Sequence, residues 1–272
     1  MTLPDLKTER KYIQEQYKSK DNLQIRIETH EKYTVPKIDF HDWILDHIEW
    51  IGGETVLDLG CGTGSYGKAV SKRCKRYLAG DLSLGMLRSL EIDAWGRVNL
   101  NAESIPFEDS IADVVLANHM LYHVQRLPKA LQGIRRILKP AGFLIAATNS
   151  GSYMPELQEL LLRLAKRFGI EDLLPNDSNV VLKRFTLENG HEVLEPIFRS
   201  VQRFDLKGAL VFHEPEPLVD YLSTMKRRYT RVIPAEVRWE QIASILTDEI
   251  GRDIELQGEF RVSKLAGVFV CS

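Results

Sequence analysis

Between residues 53 and 148 the apolar positions fall into short runs separated by amphipathic stretches. "TVLDL" (55–59), "RYLAGDL" (76–82), "GRVNLNA" (96–102), "IADVVLAN" (111–118) and "FLIAAT" (143–148) read as strands. The segments 65–73, "LGMLRSLEI" and "LPKALQGIRRILK" carry helical spacing between them, the last ended by Pro140-Ala141-Gly142. Strands separated by helices predict βαβ units and a mostly parallel sheet with helices on both faces.

The flanks have a different rhythm. Residues 5–33 are polar with scattered apolar positions and predict one or two amphipathic helices. "DFHDWILDHIEW" (39–50) predicts a helix stopped by Gly52-Gly53. After Ser150, "MPELQELLLRLAKRFG" predicts a helix ending at Gly169, and "FTLENG" (185–190) a polar turn before a short helix "HEVLEPIF". "VQRFDL" and "ALVFHE" read as strands, followed by helices near 216–229 and 235–250. "IELQGEFRVSKLAGVFVCS" holds two strand-like stretches. The resulting expectation is a doubly wound, mostly parallel, seven-stranded sheet. Its segments are an N-terminal helical lid (1–38), a nucleotide-binding core (39–150), and a helical insertion or substrate cap with the final strands (151–272).

Composition narrows the class without naming it. The 272 residues carry a net charge of −2, so the surface as a whole does not draw polyanions, and nucleic acid is not the expected partner. Lys226-Arg227-Arg228 with Arg231 reads as a solvated helix face. The three cysteines form no CxxC or Cys/His cluster, so no metal site is expected. With no apolar signal core or spanning run, a cytoplasmic protein is expected.

The chemistry concentrates at strand ends. "VLDLGCGTGSYG" satisfies both GxGxG (Gly60, Gly62, Gly64) and GxGxxG, patterns that bring backbone close to a nucleotide. Asp58, just before the glycines, would repel a pyrophosphate and favour a cationic ligand. Asp81 ends the next strand, where a carboxylate can take ribose hydroxyls. Ala102 and Glu103 follow the third strand and can read an adenine edge. The fourth strand ends in "ANHMLYHV", where Asn118, His119, Tyr122 and His123 meet the ligand edge of the sheet.

"VLDLGCGTG", "GDLSLGML", "AESIPFEDSIADVVLANHMLYHV" and "KALQGIRRILKPAGFLIAAT" resemble, in order, the motifs of class I S-adenosylmethionine-dependent methyltransferases. The resemblance is to the branch that includes ubiquinone/menaquinone methyltransferases and many small-molecule enzymes, and it covers residues 55–149. It implies that S-adenosylmethionine is the cofactor and S-adenosylhomocysteine the product. Gly60, Cys61, Gly62 and Gly64 would lie on the methionine part, with Asp58 near its amino group. Asp81 would bind ribose, Leu82 pack on adenine, and Ala102 and Glu103 read its amino edge, with Asn118 beside the sulfonium. His119, Tyr122 and His123 are candidates to orient the acceptor or take its proton. Tyr17 and Arg26 are candidate lid contacts, Arg26 to the cofactor carboxylate. Phe185, Glu188 and Asn189 either line an acceptor pocket or make a plain turn. The expected partner is a small-molecule acceptor of a methyl group on O, N or C, and the protein a monomer or homodimer. An RNA or protein methyltransferase and a dinucleotide-dependent oxidoreductase stay open as alternatives.

Overall fold

The structure, a computed structural model, describes residues 20–91, 96–170, 182–226 and 237–272. Of these, the residues within 1–37, 154–176 and 208–264 make one unit, and those within 38–153, 177–207 and 265–272 the other. Tyr17, Trp95 and the basic run from Arg227 to Arg231 lie outside the described residues.

The strands are β1 (Thr34–Val35), β2 (Thr55–Leu59), β3 (Arg76–Asp81), β4 (Gly96–Asn99), β5 (Ala112–Leu116), β6 (Leu138–Asn149), β7 (Val201–Phe212) and β8 (Phe260–Cys271). They form one mixed sheet ordered β1-β7-β8-β6-β5-β2-β3-β4. The run β6-β5-β2-β3-β4 is parallel, β8 is antiparallel to β6, and β1 is antiparallel to β7. The expected mostly parallel sheet is present. The eighth strand is β1, a two-residue strand too short to leave a periodic signal.

In the unit built around the parallel strands, side-chain alternation divides the core in two. Leu57, Leu59, Val115, Ala117, Leu144, Ala146 and Phe269 face one way, with Leu131, Ile134 and Ile137 of helix α5 (Leu127–Ile137). Val56, Val114, Leu116, Ile145, Tyr77 and Ala79 face the other, with Ile44 and Leu45 of helix α2 (Phe40–Leu45) and Val70 of helix α3 (Gly67–Ser71). Helix α4 (Leu84–Arg88) follows β3, and α7 (Gly190–Leu194) precedes β7.

The other unit is mainly helical: α1 (Lys20–Tyr33), α6 (Pro155–Arg167), α8 (Glu216–Ser223) and α9 (Trp239–Gln257). Leu160 and Leu164 of α6, Leu218 and Leu222 of α8, and Ile242, Leu246 and Ile250 of α9 are buried at helical spacing. Arg163 of α6 donates to Asp253 of α9 at 2.7 Å.

Four local expectations are corrected. Helix α2 ends at Leu45, where the Asp46 amide closes the last turn onto Asp42 O, well before Gly52-Gly53. Pro140-Ala141-Gly142 is not a turn: β6 already begins at Leu138, and its register with β5 shifts between Ala112 and Val114 to admit the extra residues. "VQRFDL" and "ALVFHE" are one strand, β7, continuous through Gly208. "IELQ" is the last turn of α9, closed by left-handed Gly258 (φ +82°), so the C-terminus holds a single twelve-residue strand.

Candidate functional site

The carboxyl ends of β2, β3, β4 and β5 converge, as parallel strands require of a doubly wound sheet. After β2 the chain turns through Gly60, Gly62 and Gly64, all left-handed (φ +73°, +56° and +81°). The amides of Gly60 and Cys61 both donate to Gly80 O of β3, at 2.7 and 3.1 Å, which folds the loop across the neighbouring strand. A side chain at Gly62 would meet open space, so the loop presents bare backbone. Gly60 is the crowded position: a Cβ there would lie 2.9 Å from both Cβ and Cγ of Met120.

Asp81 is joined to this loop. Its Oδ2 accepts the Gly62 amide at 2.9 Å and its Oδ1 the Ser83 amide at 2.7 Å. Asn99, at the end of β4, donates to the carbonyls of Asp81 and Leu82 and holds the turn. Beyond it Leu82 is 61% exposed, an apolar surface at the mouth of a polar site.

Asp58 lies behind the glycines. Strand alternation places it on the same face as Val56 and Tyr77, beneath the glycine loop, where it is 2% exposed. Tyr77 OH donates to its Oδ2 at 2.7 Å. Burial pushes its carboxyl up to about 7; the Tyr77 hydrogen bond opposes this and the nearby Asp81 charge adds to it. A carboxyl raised from 3.8 to about 7 binds more protons folded than unfolded across that window. Its contribution is full below about pH 4 and is lost as pH rises through about 7. Asp58→Asn, which keeps an acceptor for Tyr77, is expected to flatten the decline in melting temperature of the ligand-free protein between pH 5 and 8. A decline of unchanged slope would place the titration elsewhere.

Glu103 is also committed within the protein. Its Oε1 accepts the Arg126 amide at 3.0 Å and its Oε2 the Arg126 Nε at 2.7 Å. These bonds, led by the backbone amide, hold its carboxyl below the usual range. Glu103 thereby ties the loop after β4 to the start of α5, while Ala102 beside it is buried.

At the end of β5, Asn118 is buried and its Oδ1 accepts the Ala147 amide at 2.9 Å. Its Nδ2 is buried with no partner, an unspent donor. His119 takes a left-handed backbone (φ +54°) while its amide still donates to Ala147 O, strain that persists only where the surroundings impose it. Burial, and then the charge of His41, lower its imidazole to about 4. Burial and Arg184 do the same to His123, whose Nδ1 is buried without a partner. Tyr122 packs edge-on against His123, with ring centres 4.5 Å apart. Both imidazoles are neutral at neutral pH, suited to hydrogen bonding and weak as bases.

Two further sequence-named groups are bonded within the protein. Arg26 donates to Thr224 Oγ1 at 2.8 Å and to Thr224 O at 3.0 Å, binding α1 to the end of α8. "FTLENG" is no pocket lining at its first residue: Phe185 is fully buried against Phe269, and its carbonyl accepts the Thr148 hydroxyl. Glu188 accepts Ser150 Oγ at 2.6 Å and the Gly151 amide at 2.8 Å. These bonds outweigh its burial and hold it down at about 2. Asn189 Oδ1 accepts the Thr186 amide, so the segment is a clamp on the chain after β6.

Sequence reasoning missed Phe40, His41 and Tyr66. The Phe40 ring lies 5.7 Å from that of His119, and His41 packs edge-on to Tyr66 at 4.6 Å. The aromatic density of residues 40–50 hinted at the first two, and Tyr66 stands within the glycine motif.

Residues 57–146 match the family described as a methyltransferase domain. The match spans β2 to β6, the elements that build the site above. The chain is 31% identical over 107 residues to the malonyl-[acyl-carrier protein] O-methyltransferase of Serratia marcescens, covering 39% of this chain and 42% of that one. It is 32% identical over 110 residues to the demethylmenaquinone methyltransferase of Clavibacter sepedonicus, covering 39% and 45%. It thus spans less than half the length of these curated relatives. The fold is similar to that of a putative methyltransferase from an antibiotic biosynthesis pathway of Anabaena variabilis, with TM-score 0.61, 18% identity and 88% and 98% of the two chains covered. No helix among the described residues is long and apolar enough to cross a membrane.

Proposed function

We propose that the protein transfers a methyl group from S-adenosylmethionine to an O, N or C atom of a small-molecule acceptor. The observation that carries the reading is the loop after β2. Three left-handed glycines, bare backbone at Gly62 and the bonded carboxylate of Asp81 make a site that accepts a nucleoside beside an amino-acid portion.

The residues present fit this cofactor. Gly60, Gly62 and Gly64 give it backbone at close approach, and the orphaned Nδ2 of Asn118 is a donor in want of an acceptor. Asp81 holds the ribose hydroxyls by exchanging bonds now made within the loop, and Leu82 lies against the base. Asp58, poised near neutrality, ionises when an ammonium group is brought close. When bound, the cofactor supplies an activated methyl on a sulfonium.

The chain's own residues then have positioning tasks. The nucleophile must be held in line at about 3 Å with water excluded. His119, Tyr122 and His123 supply neutral hydrogen-bonding groups at the end of β5 to orient it, while Phe40 walls one side of His119. Isothermal titration of S-adenosylhomocysteine and, separately, NAD tests the reading. Binding of the first and not the second is expected, and the reverse would overturn it. Asp81→Ala is expected to weaken S-adenosylhomocysteine by about 1–3 kcal/mol through lost hydrogen bonds to a charged acceptor. Unchanged affinity would remove Asp81 from the ribose site.

A further inference from the structure

We propose that Lys264, His30 and Thr34 form a binding site for the carboxylate of a small organic acid, in the mainly helical unit. The three come from different elements: Lys264 from β8, His30 from the last turn of α1, and Thr34 from β1. Lys264 Nζ lies 3.0 Å from His30 Nδ1 and 3.0 Å from Thr34 Oγ1. An ammonium can only donate, so His30 Nδ1 accepts, which fixes the neutral imidazole with its proton on Nε2. Thr34 Oγ1 accepts as well, and its own hydroxyl hydrogen is left to give. Lys264 keeps a third N–H. Neither group has another partner among the described residues. Two unspent donors side by side, one of them on a cation, match the two oxygens of a single carboxylate.

The charge balance points the same way. No aspartate or glutamate among the described residues forms an ion pair with Lys264. The charge that acts on it is another cation, Lys37, whose Nζ is held by the carbonyls of Glu31 and Lys32 at the end of α1. Burial first, and Lys37 second, lower the Lys264 amine to about 8, so it is still mostly protonated at neutral pH. A desolvated ammonium without a counter-charge is costly, and the carbonyl end of α1 offsets only part of that cost. A bound anion supplies the rest. The geometry is also braced: Tyr221 of α8 meets the His30 ring edge-on at 5.8 Å, and its hydroxyl donates to Met154 Sδ. One cation with two donors suits a carboxylate better than phosphate, which carries more charge and more acceptor oxygens.

The site does not depend on methyl transfer and is testable without it. In the full chain labelled with ¹³C-lysine, the Lys264 methylene resonance, assigned by its loss in Lys264→Arg, is followed during titration with sodium acetate, with sodium chloride at equal ionic strength as control. A saturable shift of this resonance alone, with a rise in its pKa, is the expected result. Thr34→Val is expected to weaken acetate by at least about threefold, the loss of one hydrogen bond to a charged group. A shift that does not saturate, that chloride reproduces, or that Thr34→Val leaves unchanged would overturn the proposal. Tighter binding of inorganic phosphate than acetate would overturn the carboxylate assignment. S-adenosylhomocysteine affinity, measured on the same samples, separates a failure of this site from a failure of the methyltransferase reading.

Discussion

Phe185→Ala is expected to lower the unfolding free energy by about 3–5 kcal/mol, the range for emptying a fully packed aromatic site. Phe185 has no exposed surface, meets the Phe269 ring at 5.6 Å between centres, and shares its core with Leu187, Leu194 and Phe198. Chemical denaturation measures the loss directly. S-adenosylhomocysteine binding, measured where both proteins are folded, is expected to change little, since Phe185 belongs to the core and not to the glycine loop. A variant of wild-type stability with weakened ligand binding would restore Phe185 to the ligand site.

Gly60→Ala acts on the site itself. Forcing a side chain into a left-handed backbone at φ +73° costs about 1–2 kcal/mol. The new Cβ would also press on Met120 Cβ and Cγ at 2.9 Å. Both terms distort the loop that bonds Gly80 O, so S-adenosylhomocysteine affinity is expected to fall by at least about tenfold, or 1.4 kcal/mol. Adding Met120→Ala removes Cγ and Cε but neither Cβ nor the backbone strain, so recovery should be partial. Full recovery would make the clash the whole effect. Wild-type affinity in the single variant would show that the loop does not touch the ligand.

The order of strands and helices from residue 53 to 148 was legible because each element announces itself locally. Five-residue apolar runs ended by glycine or acid, with amphipathic helices between, leave few other topologies. The glycine loop was legible for the same reason, since a left-handed turn leaves glycine in the sequence. The acids were only half legible. Asp58 and Asp81 both stand at strand ends, yet pleat parity sends Asp58 under the loop to Tyr77 while Asp81 bonds the loop amides. Glu103 meets Arg126, twenty-three positions away, and no spacing rule links them.

By itself the sequence determined a doubly wound sheet, its glycine loop and the set of polar residues at the carboxyl edge, because these depend on periodicity and turn chemistry within a few residues. Only the tertiary structure decided which carboxylate is buried against Tyr77 and which bonds the loop amides. It also decided that "FTLENG" is a core clamp, that β7 and β8 run unbroken for twelve residues, and that a lysine on β8 meets a histidine on α1. The physical reason is that burial, counter-charge and strand pairing are set by residues far apart in the chain, and a local pattern carries no record of them.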